Sequence, residues 1–397
     1  ILLLALLFYT YLGYGLVMYI IDKLTPKRKA SAELPNTLFE KLTLVIAVYN
    51  EEEIIETKIK NCLELRYPEG RMDILFVTDG STDKTNEIIA RYPQVSYSFQ
   101  PQRNGKIHAI NRVMKTIKTP FVVFSDANVM LNKDAIIQLV KHFKEPQVAV
   151  VSGEKVVWSA NRDKASASGE GIYWKYESAL KQLDARVNTL VGSAGELFAM
   201  RTALYEAVPE DIVIEDFYLT LKLAMQGYKV AYEPKAVAME TASASIREEE
   251  KRKVRISAGG IQAIFKLAAL FNIFKYGLLS FQFISHRVLR WTLAPAALPL
   301  VFILNLFLVG SSPVWKIILF AQILCYALAF VGYWLRESPT RIKLIYVPYY
   351  FVFMNLSVYK GWFRFIRKTQ TVRWEKSARL QLDHLEIQRG LKSSTLK

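Results

Sequence analysis

The absence of charge over long stretches restricts this chain more than any other feature. Ile1–Ile21 carries no charged side chain and is followed at once by Asp22, Lys23, Pro26, Lys27, Arg28 and Lys29. About 20 apolar residues at helical rise cross the hydrocarbon core of a bilayer, and clustered Lys and Arg mark its inner side. The segment therefore reads as a retained membrane anchor, 1–22, with a cytoplasmic basic flank. A cleaved signal peptide is the competing reading, but the basic cluster follows the apolar run and no small-residue cleavage site is evident. The chain opens on Ile rather than Met, which leaves room for residues upstream, another span among them. Near the other end Val288–Gly310, Pro313–Leu335 and Ile342–Phe363 are three further strongly apolar stretches. Pro295, Pro299 and Pro348 are tolerable inside them where packed neighbours satisfy the freed backbone groups.

Between these stretches the pattern changes. Apolar runs shorten to Leu42–Val48, Ile74–Val77, Phe121–Phe124 and Val148–Val151, each bounded by Gly, Asp, Asn or Pro, with helical patterns such as Glu52–Leu65 and Asp83–Arg91 between them. Buried strands alternating with helices predict an α/β fold with a mostly parallel sheet. Ligands of such sheets bind beyond the carboxyl ends of the strands. The stretch Arg247–Arg255 is strongly charged, and Ile261–Arg287 is apolar but interrupted by Lys266, Asn272, Lys275 and Gln282, the pattern of amphipathic helices at a membrane face. The expected division is 1–22 anchor, 38–245 catalytic domain, 246–287 interface helices, 288–363 membrane helices and 364–397 basic cytoplasmic tail. One early span and three late ones would put that tail outside, against the positive-inside rule. Either the Phe265–Phe283 region crosses or one of the last segments re-enters.

Charge and cysteine count exclude several classes. The chain has 52 Lys+Arg against 36 Asp+Glu, a formal charge of +16, with 52% hydrophobic residues. It is too apolar for disorder. Its basic residues gather at the membrane flanks rather than on one face interleaved with aromatics, so anionic lipid and not nucleic acid is the expected partner. Cys62 and Cys325 have no ligand spacing, and His108, His142, His286 and His384 lie apart. No chemistry is assigned to them.

The strand ends carry the candidates. The first ends Val48-Tyr-Asn-Glu-Glu52 and the second Phe76-Val-Thr-Asp79-Gly-Ser-Thr-Asp83. Asp79 stands where an acid accepts hydrogen bonds from a base or ribose, or where a plain turn leads to a helix started by Asp83. Lys106 follows Gly105 before a helix and can meet a diphosphate, unless it is a solvated surface lysine. Asp126 and Asn128, two residues apart, offer oxygens to one side of a turn, a donor pair for Mg²⁺ or Mn²⁺ shared with phosphate, with helix capping by Asn128 as the alternative. The small-residue loop Val191-Gly-Ser-Ala-Gly195-Glu196 can pass close to a sugar. Glu215 and Asp216 open a helix, one placed to cap it and the other to act as a general base.

In this order the motifs resemble family 2 glycosyltransferases, the membrane synthases of the cellulose, hyaluronan and poly-N-acetylglucosamine type, over residues 40 to 260. The resemblance implies a GT-A nucleotide-sugar domain with Asp79 at the uracil base and Asp126 at nucleotide and metal. It puts Asn128 where many members have a second Asp, Asp216 as catalytic base, and Gly195, Glu196 and Glu215 on the acceptor side. It implies an inverting, metal-dependent hexosyltransferase of the inner cell membrane, multi-pass with a cytoplasmic catalytic domain, taking a UDP-sugar and extending a glycan or polysaccharide, with accessory secretion partners. Processive members carry Gln-x-x-Arg-Trp where this chain reads Arg252-Lys-Val-Arg255-Ile256. Arg255 and Arg252 remain to clamp a pyrophosphate, but the stacking tryptophan is gone. Non-processive transfer to a lipid-linked acceptor is therefore the alternative, and a non-catalytic transporter or scaffold with a nucleotide-binding domain the remote one.

Overall fold

The computed structural model describes residues 1–25, 39–158, 169–336 and 342–371. Contacts divide the described residues into two compact units, one of residues 39–158, 188–244 and 371, the other of 1–25, 169–187, 245–336 and 342–370. The helix Gly169–Val187, inside the stretch expected to be all catalytic domain, belongs to the second unit.

The first unit is built on an eight-stranded sheet of β1 (Leu42–Val48), β2 (Met72–Asp79), β3 (Ser96–Gln100), β4 (Phe121–Asp126), β5 (Val129–Leu131), β6 (Val148–Trp158), β7 (Leu197–Arg201) and β8 (Lys229–Thr241). The order across it is β3-β2-β1-β4-β7-β6-β8-β5. The half from β3 to β4 is parallel, β7 runs antiparallel to both its neighbours, β6 and β8 are parallel, and β5 closes the edge antiparallel to β8. All seven residues of β1 are buried because helices cover both faces of a parallel sheet. Each of its Leu, Val and Ile side chains adds roughly 1.5–3 kcal/mol of hydrophobic burial. Register decides where chemistry gathers. Ala47 lies beside Asp126 and Val48 beside Thr78, so the carboxyl ends of β1, β2 and β4 meet at one edge.

The helical unit starts with Leu2–Leu24, which contains a π-helical turn at Tyr9–Gly13 and packs Tyr14 and Met18 against Leu180 and Leu183. Helix Ile246–Lys266 opens on Ser245, whose hydroxyl accepts the Glu248 N–H at 3.2 Å. Helix Pro313–Trp334 opens with proline at its first position behind the Ser312 cap. Among the described residues, Leu2–Leu24 and Pro313–Trp334 are long and apolar enough to cross a membrane. Leu278–Trp291 and Leu293–Leu308, bent by 52°, make a third if they form one broken span or a re-entrant loop.

Two spans expected from sequence therefore come out differently. Val288–Gly310 is not one rod but the second arm and corner of that bent pair. Ile342–Phe363 does form a helix, Lys343–Ile366, but that helix is not among those apolar enough to span. Prolines explain the first departure, and the polar and aromatic composition of helix Lys343–Ile366 the second. Pro295 has no N–H for the Trp291 carbonyl one turn earlier, and that carbonyl accepts the Trp362 indole N–H at 2.7 Å. Pro299 likewise frees the Pro295 carbonyl, which accepts the Tyr359 hydroxyl at 2.6 Å. Helix Lys343–Ile366 thus supplies polar aromatic donors, and it buries Tyr346, Tyr349, Tyr350 and Phe353 rather than offering a uniformly aliphatic surface. The basic tail beyond residue 371, Trp374 included, lies outside the described residues.

Candidate active site

The ends of β1 and β2 are knitted together by side chains read as motifs. The Asn50 carboxamide accepts the Thr82 N–H at 2.8 Å, Ser81 Oγ accepts the Asn50 N–H at 3.1 Å, and Asp83 accepts from both Glu52 N–H at 3.1 Å and Thr85 N–H at 3.0 Å. Gly80 is required: its φ is +67°, and a Cβ there would stand 2.8 Å from the Arg103 nitrogen. Asp79, buried at 2% exposure, accepts the Asn104 N–H at 3.0 Å and the Gly105 N–H at 2.6 Å. Both its oxygens therefore fix the loop that delivers Lys106 to the first position of helix Lys106–Met114.

Lys106 is not a solvated lysine. Its Nζ donates to Asp126 Oδ1 at 2.7 Å and pairs with Glu215 Oε1 at 2.7 Å, with 14% of the side chain exposed. Burial alone pulls such an ammonium down, but Asp126 and Glu215 outweigh it and hold Lys106 above its usual range. A small cavity lined by Ala47, Lys106, Phe124, Ser125, Phe198 and Glu215 lies at this edge of the sheet.

Glu215 and Asp216 occupy the first turn of helix Glu215–Met225 and both are buried. Neither caps it: the residue at the cap is Ile214. Helix capping therefore does not account for the pair. The small-residue loop explains how Asp216 fits: a Cβ on Gly195 would meet the Asp216 carboxylate at 3.2–3.3 Å. Among the described residues Asp216 has no ion pair. Burial first, and then the adjacent Glu215, push its carboxyl up to about 7, against the pull of Lys106. Glu196, next to Gly195, is paired with Lys155, which also meets the buried Glu240 at 2.5 Å. Lys155 gave no sequence signal, since only strand pairing brings β6 beside β7 and β8.

Asp126 and Asn128 stand at the β4–β5 turn. Among the described residues no three His, Cys, Asp or Glu side chains converge on a metal site. One carboxylate and one amide two residues apart nonetheless fit a Mg²⁺ or Mn²⁺ that completes its shell with phosphate oxygens. Arg252 and Arg255 lie on helix Ile246–Lys266 of the helical unit, where Arg252 pairs with Glu249 at 3.3 Å and the Arg255 carbonyl accepts from Gln370 at 3.5 Å.

Comparison with known proteins bears on the fold and on the family that this region resembles. Residues 43–207 match glycosyl transferase family 2. The chain is 27% identical over 239 residues to a poly-beta-1,6-N-acetyl-D-glucosamine synthase of Staphylococcus aureus (strain COL), covering 57% of this chain and 56% of that one. It is 26% identical over 265 residues to the synthase of the same name from Staphylococcus epidermidis, covering 64% and 62%. The matched region thus spans little more than half the length of these relatives. In fold the chain is similar to the mannosyltransferase PcManGT of Pyrobaculum calidifontis, solved with GDP-Man and Mn²⁺, at a TM-score of 0.68 and 20% identity over 92% of this chain and 98% of that one. The sheet thus has the GT-A fold of that neighbour, and residues 43–207 are the part of the chain that is similar to glycosyl transferase family 2.

Proposed function

We propose that this chain is a membrane-bound inverting glycosyltransferase that moves a sugar from a nucleotide-sugar to a glycan or polysaccharide acceptor. The observation that carries the reading is Asp216, a buried carboxylate raised to about 7 beside the Gly195 loop and one residue from the Lys106–Glu215 pair. A base poised near neutrality can take a hydroxyl proton at working pH. Asp216 accepts the proton of the acceptor hydroxyl, and that oxygen attacks the anomeric carbon as the bond to the nucleoside diphosphate breaks, inverting the centre. Lys106, held charged by Asp126 and Glu215, offers its ammonium to the departing diphosphate. Asp126 and Asn128 would hold a Mg²⁺ or Mn²⁺, which would supply positive charge against the charge developing on the leaving group. Asp79 shapes the rim on which the base of the nucleotide rests. Gly195, Glu196 and Glu215 face the acceptor. The reading needs neither Arg252 nor Arg255.

One set of relatives is named as synthases of a β-1,6-linked N-acetylglucosamine polymer, and the fold neighbour was seen with GDP-Man and Mn²⁺. A UDP-sugar is the expected donor, with GDP-sugars as the competitor. Ile256 favours a second reading, non-processive transfer to a lipid-linked acceptor, because an aliphatic side chain gives a sugar no aromatic face to stack on. The apolar helices support a cell-membrane location with the catalytic unit cytoplasmic. The test is nucleoside-diphosphate release by the full chain in nanodiscs with Mn²⁺ and a panel of UDP- and GDP-sugars, followed by sizing of the product. Release with one donor class and a glycan or lipid acceptor supports the reading. No release with any donor and acceptor overturns it, and a ladder of long chains decides for polymerisation over single transfer.

A further inference from the structure

Helix Ile55–Leu63 turns one face to the sheet, and on that face, among the buried Ile55, Ile59 and Cys62, stand Lys58 and Asn61, three residues apart. Lys58 is fully buried, and its Nζ donates to Ser125 Oγ at 2.9 Å and to the Val129 carbonyl at 2.7 Å. Asn61 grips Leu131 at both backbone groups, accepting its N–H at 2.8 Å and donating to its carbonyl at 2.9 Å. Ser125 is the last residue but one of β4 and Val129 the first of β5. One ammonium therefore ties together the two ends of the turn whose interior is Asp126, Ala127 and Asn128.

Stability does not explain this lysine. Its two partners are a hydroxyl and a carbonyl, neither of them charged, and an ammonium taken from water into a core costs several kcal/mol before such bonds return part of it. A methionine of similar length would fill the same volume with no polar group to satisfy. Burial pulls the Lys58 amine below its usual range, with the Asp126 charge acting in the opposite sense. What the lysine does provide is two fixed attachment points on either side of Asp126 and Asn128.

We propose that Lys58 is a positioning residue for a divalent cation: by tying Ser125 to Val129 it sets the spacing between the Asp126 carboxylate and the Asn128 amide. The inference rests on the reading of Asp126 and Asn128 as the metal-holding pair. Lys58 touches neither substrate nor metal. It acts through the turn, as groups behind metal ligands do when they fix ligand orientation.

The experiment measures Mn²⁺ binding to the full chain in nanodiscs by the electron paramagnetic resonance of free Mn²⁺, with UDP and with GDP as nucleotide probes. Lys58→Met is expected to melt no lower than wild type, while its Kd for Mn²⁺ rises about 10-fold or more. The Mn²⁺ concentration for half-maximal turnover rises with it, and kcat at saturating Mn²⁺ stays close to wild type. Ser125→Ala, which removes one acceptor and leaves the lysine in place, shifts the same Kd in the same direction by less, and carries the test if Lys58→Met does not fold. Wild-type Mn²⁺ affinity in the folded variants overturns the proposal. Asp126→Asn separates the two claims. If it loses Mn²⁺ while Lys58→Met and Ser125→Ala keep it, only the positioning role falls. If Asp126→Asn binds Mn²⁺ as wild type does, the metal pair falls and Lys58 with it.

Discussion

Each unit of this chain buries a cluster of ionisable groups, and the two are compensated differently. In the helical unit Glu177 is met by Arg287 at 2.8 Å, Arg290 at 2.9 Å and His286 at 3.3 Å. Asp184, two turns along the same face of the helix, accepts from Tyr14 and lies 2.5 Å from the other nitrogen of His286. Burial would raise the Glu177 carboxyl, but Arg287, His286 and Arg290 together hold it well below the usual range. In the catalytic unit the balance is reversed. Lys106 divides itself between Asp126 and Glu215, and Asp216 is left raised to about 7. The first cluster surrounds the Glu177 carboxylate with cationic partners and ties helix Gly169–Val187 to Leu2–Leu24 and to Leu278–Trp291. The second keeps one carboxylate ready to change its protonation state. Buried charge of itself marks neither structure nor chemistry; the degree of compensation separates the two.

The contrast breaks most visibly at Asp216. Asp216→Asn should lower kcat by about 10²–10⁴-fold, the usual contribution of a general base, while nucleotide binding is kept. The same variant should melt higher than wild type at pH 8 and much less so at pH 5. A carboxyl raised in the folded state favours folding while protonated and loses that contribution as pH rises through about 7. Equal turnover of variant and wild type would remove Asp216 from the chemistry.

The matching change in the other cluster is Glu177→Ala. It leaves Arg287, Arg290 and His286 facing a buried gap, and should cost about 3–5 kcal/mol of stability, read as a drop in melting temperature in detergent. Protein that remains folded should keep the wild-type pH–rate profile. A shifted profile would mean that the helical cluster takes part in the reaction. A smaller effect is expected from Lys106→Met, which removes charge-assisted bonds to Asp126 and Glu215 and should lower kcat/KM by about 10–100-fold. Because Lys106 pulls the Asp216 carboxyl down, its loss should also move the acid limb of the pH–rate profile upward. An unmoved limb would mean that the two groups are not coupled.

Much of the catalytic unit was legible in the sequence, for reasons that the same residues make plain. A strand covered on both faces must be a short, unbroken apolar run, so Leu42–Val48 was bounded to the residue, and polar residues at its end could only be turn or site. The acids of the helix Glu215–Met225 were visible because they interrupt an apolar pattern. What sequence could not give were pairings set by tertiary contact. The Asp79 carboxylate closes on amides 25 residues and more away, which local turn grammar does not encode. Lys58 in an amphipathic helix reads as solvated, and only the packing of that helix on the β4–β5 turn buries it. Lys155 reaches Glu196 and Glu240 through sheet register alone. The helical unit was less legible, since hydropathy reports length and composition but not which apolar helix packs on protein. Tyr359 and Trp362, which donate to the carbonyls freed by proline, mark Lys343–Ile366 as a packing helix, a signal that lies in its aromatic donors rather than in its apolar total.

The central claim is that an uncompensated buried carboxylate, Asp216, is the base of the transfer. It is tested most directly by the pH dependence of kcat, measured as nucleoside-diphosphate release at saturating donor, acceptor and Mn²⁺ from pH 5 to 9. The predicted result is a plateau above an apparent pKa of about 7 and a rate falling about tenfold for each pH unit below it. A rate that stays flat from pH 5 to 8 would contradict it.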